Sequence, residues 1–218
     1  MQIQPLLEGQ YFHIYNRGVN GENLFKERKN YLFFLKQYVL YCSEVLETLA
    51  YCLLKNHFHL VCYVRENIEV PKKNGDGMFR LTASKQLSHF FNSYAQSFNK
   101  MYDRTGPLFE SPFERKLIDN PAYLPSVICY CNLNPQLHGF VDDFRNWEFS
   151  SYAAIIQNET KFISSQKVID MFGGVAGFKE AHNLALRKDD FEKCQMEYKP
   201  RQRLQTLTAV CPGENQTW

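Results

Sequence analysis

Asn56-His57-Phe58-His59-Leu60 decides how this chain is read. It follows the apolar run Leu46 to Leu54 and opens a second one, Phe58 to Val64, with only Lys55 and Asn56 between them. Two β-rich runs joined by so short a polar turn predict an antiparallel hairpin of buried strands. Side chains alternate across a strand, so His57, His59, Val61 and Tyr63 share one face while Phe58, Leu60, Cys62 and Val64 share the other. Two imidazoles then point the same way from a buried strand. Either they are satisfied by hydrogen bonds on an open sheet face, or their lone pairs serve a metal ion.

Working outward, Tyr11 to Asn16 alternates and is aromatic, which predicts a first strand ending at the Arg17-Gly18 turn. His13 and Tyr11 fall on its exposed face. From Asn23 to Cys42, Leu24, Phe25, Leu32, Leu35, Val39 and Cys42 recur at helical spacing. Beyond the hairpin, residues 65–81 carry a polar, Gly-containing insertion with Lys72 and Lys73, read as a loop. Leu87, Phe90, Phe91, Tyr94, Phe98 and Met101 mark a second amphipathic helix that stops before Gly106-Pro107. Leu108 to Ile118 reads as a fourth strand, broken or pushed to an edge by Pro112. Asn120-Pro121 supplies an N-cap and a first-turn proline for a third helix. On that helix Leu124, Val127, Ile128 and Cys131 form the apolar stripe, while Tyr130 and Asn134 sit one turn apart on its flank.

The order β-α-β-β-α-β-α predicts an α+β fold: a ferredoxin-like split βαβ antiparallel sheet with helices on one face and the other face open. Residues 1–155 are read as one catalytic-type domain. Residues 156–218 are read as a C-terminal helical extension with one or two helices over 165–187 and a basic tail that orders on binding.

Composition narrows the function. The chain has 218 residues, 44% hydrophobic and 22% charged, as expected of a folded domain. A net charge of +2 is too small to imply a polyanion partner, so only a local basic face would do that. The 18 Phe and 13 Tyr are read mainly as core. Seven cysteines without Cys-x-x-Cys or a secretory leader predict reduced thiols and a cytoplasmic protein, and no apolar run suits a membrane span. The cysteines also lack the spacing of a structural zinc site.

Several stretches together resemble the IS200-type Y1 transposases, most closely the REP-associated tyrosine transposases. They are Tyr15-Asn-Arg-Gly18, Ala50-Tyr-Cys-Leu-Leu-Lys-Asn-His-Phe-His-Leu60, Gly106-Pro-Leu-Phe-Glu110, Tyr130-Cys-Asn-Leu-Asn-Pro135 with Gly139, and Trp147 to Tyr152. The resemblance spans roughly residues 10 to 155. It implies a single-strand DNA endonuclease and strand transferase with the His-hydrophobic-His signature. His57 and His59 would be metal ligands, Tyr130 the nucleophile and Asn134 an amide-bearing third ligand, with Mg²⁺ or Mn²⁺ as the ion. The implied partner is single-stranded or hairpin DNA, bound by a monomer or homodimer. Arg17, Arg104, Arg115 and Lys116 flank the expected site and, with Lys72 and Lys73, are candidates for phosphate contact. The chain departs from the family after the nucleophile, where Gln136-Leu-His-Gly139 replaces the usual Val-Arg-Ala-Gly and brings in His138. The alternative is a domesticated, non-catalytic protein that binds hairpin or single-stranded nucleic acid.

Overall fold

A computed structural model describes residues 4–72, 75–158 and 160–187. Lys73 and the basic tail from Lys188 onward lie outside the described residues.

The element order is β1 (Tyr11–Arg17), α1 (Arg28–Cys42), β2 (Leu46–Leu54), β3 (His57–Val64), β4 (Glu69–Pro71), β5 (Met78–Arg80), α2 (Ala83–Met101), β6 (Glu114–Ile118), α3 (Leu124–Leu137), α4 (Ser151–Gln157), α5 (Ser165–Met171) and α6 (Val175–Arg187). Four strands form an antiparallel sheet in the order β2-β3-β1-β6. This is the predicted split arrangement, with β2–β3 as its hairpin. α1 begins at Arg28 rather than Asn23 because the Asn30 side chain accepts from the backbone N–H of Glu27, at 2.9 Å, closing a reciprocal cap there. Residues 65–81 are not simply a loop: Glu69–Pro71 pairs with Met78–Arg80 as a small separate hairpin.

The first face of the sheet is sealed by α1 and α2 through aromatic rings. Phe34 of α1 lies 5.1 Å from Phe58 of β3, 4.7 Å from Phe90 and 5.0 Å from Tyr94 of α2, centroid to centroid. Edge-to-face contacts at these separations stabilise beyond the area they bury. The polar tips are matched too: the Tyr94 hydroxyl donates to Leu24 O at 2.7 Å, and Tyr38 meets Thr48 Oγ1 at 2.7 Å. The aromatic richness of the chain is thus largely a core property.

The second face, which the sequence predicts to be open, is only partly so. α3 packs across it, above β2 and β3, with Cys131 Sγ 3.9 Å from His59 O. The reason is in α3 itself, which buries nearly its whole circumference from Val127 to Pro135 and so requires a sheet beneath it as well as a neighbour above. α6 supplies that neighbour, and Ile163 and Lys167 tie the segment before it to β2 through a bridge to Thr48 and an ion pair of 2.8 Å with Glu47. The segment Trp147 to Ser151 covers the outer edge of β2. Leu53 N donates to Phe149 O, Trp147 Nε1 donates to Leu53 O and Tyr51 N donates to Ser151 Oγ. An edge strand protected in this way has no free ladder to offer another chain.

Candidate active site

The register of β1 against β3 pairs Tyr15 with His59 and Arg17 with His57, so Tyr11, His13, Tyr15 and Arg17 share the imidazole face. β6 extends it, pairing Lys116 with His13. Three sequence stretches converge at one end of the sheet to build this corner. Asn16 Nδ2 donates to Glu110 O at 3.0 Å, Glu110 N donates to Arg17 O at 3.0 Å, and Gly18 N donates to Asn56 O at 2.9 Å. Gly18 is obligatory there, because a Cβ would lie 2.0 Å from Glu22 O. The turn that presents His57 is therefore held by the Tyr15 to Gly18 and Gly106 to Glu110 stretches.

On this face His57 and His59 lie edge to face with centroids 5.2 Å apart. Tyr130 of α3 packs 5.8 Å from His59 and 6.1 Å from His13, again edge-on. The four rings are 1–4% exposed. Burial pushes the imidazoles strongly toward neutrality: His13 and His57 are lowered to about 3, and His59 falls well below its ordinary value, first through desolvation and then through neighbouring positive groups. Neutral imidazoles are the form with lone pairs to give.

Each ring also has an outer partner. His57 Nδ1 is 2.8 Å from Asn56 Oδ1, an acceptor that places the proton on Nδ1. His59 Nδ1 is 2.9 Å from His13 Nε2. His59 Nε2 is buried and makes no hydrogen bond. Asn134 completes the picture. Helical geometry continues through Pro135 to Leu137, and Asn134 Nδ2 donates to Tyr130 O at 2.7 Å, which turns Oδ1 away. That Oδ1 is buried and has no hydrogen-bond partner. Two buried polar atoms left without a hydrogen bond are costly unless something else engages them. Among the described residues no three His, Cys, Asp or Glu side chains cluster as a metal site.

The cationic candidates separate. Arg17 and Lys116 lie on the imidazole face, Arg17 in an ion pair of 3.4 Å with Glu110. Arg115 pairs with Ile14 and so projects to the opposite face, its guanidinium 3.7 Å above the Phe113 ring. Arg104 is committed to Glu22, Asn99 and Pro107 O, where it clips two turns together. Lys72 sits in the turn of the separate β4–β5 hairpin, its N–H donating to Gly77 O at 3.0 Å, and is not part of the four-stranded sheet that carries the imidazoles. His138, which sequence reasoning noted only as a neighbour, packs 5.1 Å from His57. The residue sequence reasoning undervalued is His13. Its signal was the alternation His13, Tyr15, Arg17, which an antiparallel register carries next to His59.

A second buried network fixes α3 above the site. His182 of α6 donates from Nδ1 to Phe178 O at 2.7 Å and accepts from Asn132 Nδ2 at 3.1 Å; Asn132 Oδ1 accepts from Ser151 Oγ at 2.6 Å. Cys129 Sγ lies 3.7 Å from His182, yet this is no thiolate pair: burial raises the thiol to about 12 and lowers the imidazole to about 4. The lowered imidazole makes stability depend on pH. The unfolded chain binds this proton below about 6.5 and the folded chain only below about 4, so stability is complete above pH 6.5 and falls as pH drops toward 4. The expected loss is about 3 kcal/mol. Urea titrations at pH 7 and pH 4.5 on wild type and His182→Gln check this, the variant showing a shallower decline.

No protein-family model matches the chain. A curated protein of Haemophilus influenzae, "Putative REP-associated tyrosine transposase", is 26% identical over 117 residues, covering 52% of this chain and 62% of that protein. The chain thus spans about three fifths of the relative's length. A solved structure described as the REP-associated tyrosine transposase bound to a REP hairpin superposes with a TM-score of 0.53 at 15% identity, covering 72% of this chain and 85% of that one. That likeness establishes the fold. In sequence the chain is thus similar to one REP-associated tyrosine transposase and in fold to another. Among the described residues no helix is long and apolar enough to cross a membrane.

Proposed function

We propose that the chain cuts and rejoins single-stranded DNA at a hairpin, with Tyr130 as nucleophile. The Tyr130 oxygen loses its proton and forms a bond to phosphorus while the bond from phosphorus to the 3′ oxygen breaks. The 3′ oxygen takes up a proton, and a 5′-phosphotyrosine remains. The phosphoester bond is exchanged rather than hydrolysed, so rejoining needs no nucleotide cofactor.

The observation that carries this reading is the meeting of Tyr130, His57 and His59 on one face, with two buried polar atoms that make no hydrogen bond, His59 Nε2 and Asn134 Oδ1. Two imidazoles and one amide oxygen fit a divalent ion of the Mg²⁺ or Mn²⁺ kind, whose remaining positions are left to water and phosphate. Held there, the ion would polarise the phosphate oxygens. His57, His59 and Asn134 would hold it; Tyr130 supplies the attacking oxygen, and Arg17 and Lys116 on the same face orient the phosphate.

The test is a hairpin oligonucleotide with a single-stranded flank, incubated with the full chain and Mn²⁺. The expected result is a denaturation-resistant adduct whose tryptic map places the nucleotide on Tyr130. A protein that binds the hairpin and never forms an adduct with Mn²⁺ or Mg²⁺ is instead a binder. The two cation faces give a separate prediction. Lys116→Ala lowers the steepness of log affinity against log salt by about 0.7 for the single-stranded flank, one phosphate contact, while Arg115→Ala leaves it unchanged. A wild-type slope for Lys116→Ala would remove Lys116 from the DNA face.

A further inference from the structure

His13 has no part in the chemistry proposed above, yet it is buried to 3% exposure and its Nε2 lies 2.9 Å from His59 Nδ1. The two rings are 5.1 Å apart with planes only 23° from parallel, so the bond lies close to both ring planes. One hydrogen bond between two neutral imidazoles holds one proton, and its position decides the state of the far nitrogen. If His13 donates, the proton of His59 sits on Nε2, the atom that makes no hydrogen bond. If His59 donates, Nε2 carries the lone pair.

We propose that His13 is a positioning residue that accepts the Nδ1 proton of His59 and so holds His59 as the tautomer able to ligate a divalent cation through Nε2. The inference rests on the metal-assisted reading. A neutral imidazole bound through Nε2 must carry its proton on Nδ1, and the atom facing that nitrogen at 2.9 Å is His13 Nε2. His13 must then be neutral with its own proton on Nδ1. Asn56 plays the matching part for His57, accepting from its Nδ1. Both rings are then held from behind, one by a side-chain amide and one by a third histidine. Outer partners of this kind fix both ring orientation and tautomer.

The experiment uses Mn²⁺ alone on the full chain, by isothermal titration, together with ¹⁵N chemical shifts of His59 in the metal-free protein. His13→Phe fills the volume but accepts nothing, and His13→Gln restores an acceptor at similar reach. The expected result is Mn²⁺ affinity about 10- to 100-fold weaker for His13→Phe and recovery to within a few-fold for His13→Gln. His59 is expected to be protonated on Nδ1 in wild type and mixed in the Phe variant. Thermal unfolding verifies that each variant is folded. If His59→Ala abolishes Mn²⁺ binding while a folded His13→Phe binds as wild type, or if wild-type His59 carries its proton on Nε2, the inference fails and the metal-assisted reading stands. If wild type itself binds no Mn²⁺, that reading fails and takes the inference with it.

Discussion

Tyr130→Phe is expected to lower formation of the covalent DNA adduct by on the order of 10⁴-fold or more, the scale of loss when a covalent nucleophile is deleted. Hairpin affinity should stay within about twofold. Phenylalanine keeps the ring that packs edge-on at 5.8 Å from His59 and 6.1 Å from His13, so the contacts holding α3 over the imidazoles survive. Removing one hydroxyl typically changes stability by about 1 kcal/mol, too little to unfold the chain at room temperature. Loss of adduct with retained binding therefore reports chemistry. Adduct formation by the Phe variant at the wild-type rate would assign the nucleophile elsewhere, and with it the role of α3.

The sheet and its helices were legible because each core element carries its own period. Phe58, Leu60, Cys62 and Val64 alternate, and Leu87, Phe90, Phe91, Tyr94 and Phe98 recur at helical spacing, so strand and helix announce themselves locally. What periodicity does not carry is which face a helix covers. The stripe Leu124, Val127, Ile128 and Cys131 is one-sided, yet Tyr130, Asn132 and Asn134 are buried as well. Asn132 is absorbed by partners far along the chain, His182 and Ser151, whereas Asn134 gives its Nδ2 to the helix's own Tyr130 carbonyl one turn back. Nothing near Asn132 in sequence announces its partners. The same holds for the cations. Arg115 and Lys116 are neighbours in sequence and opposites in space, because one residue along a strand reverses the face, so proximity along the chain is not proximity at the site. His13 was readable in principle from the register of β1 against β3, which only a committed pairing supplies.

Neighbouring residues on β3 are expected to separate function from stability. His59 and Leu60 are 1% and 0% exposed and face opposite sides of one strand. Leu60→Ala removes buried volume from the α1–α2 face, a kind of change that costs about 2–5 kcal/mol, while the Mn²⁺ affinity of the molecules that remain folded is unchanged. His59→Leu behaves the other way. It gives up the bond to His13, and it also removes a buried nitrogen that makes no hydrogen bond, so the two polar costs, each about 1–3 kcal/mol, largely offset. The metal-free variant should unfold within about 1 kcal/mol of wild type, with Mn²⁺ binding and adduct formation lost together. A near-neutral change at so deeply buried a position means that the imidazole is kept for something other than packing, since core positions do not usually tolerate a change of chemistry without penalty. Urea unfolding and Mn²⁺ calorimetry on the two variants measure both axes. Should His59→Leu lose several kcal/mol and Leu60→Ala lose Mn²⁺ affinity as well, stability and ion binding would be one property of this strand, and the imidazole face would be core rather than site.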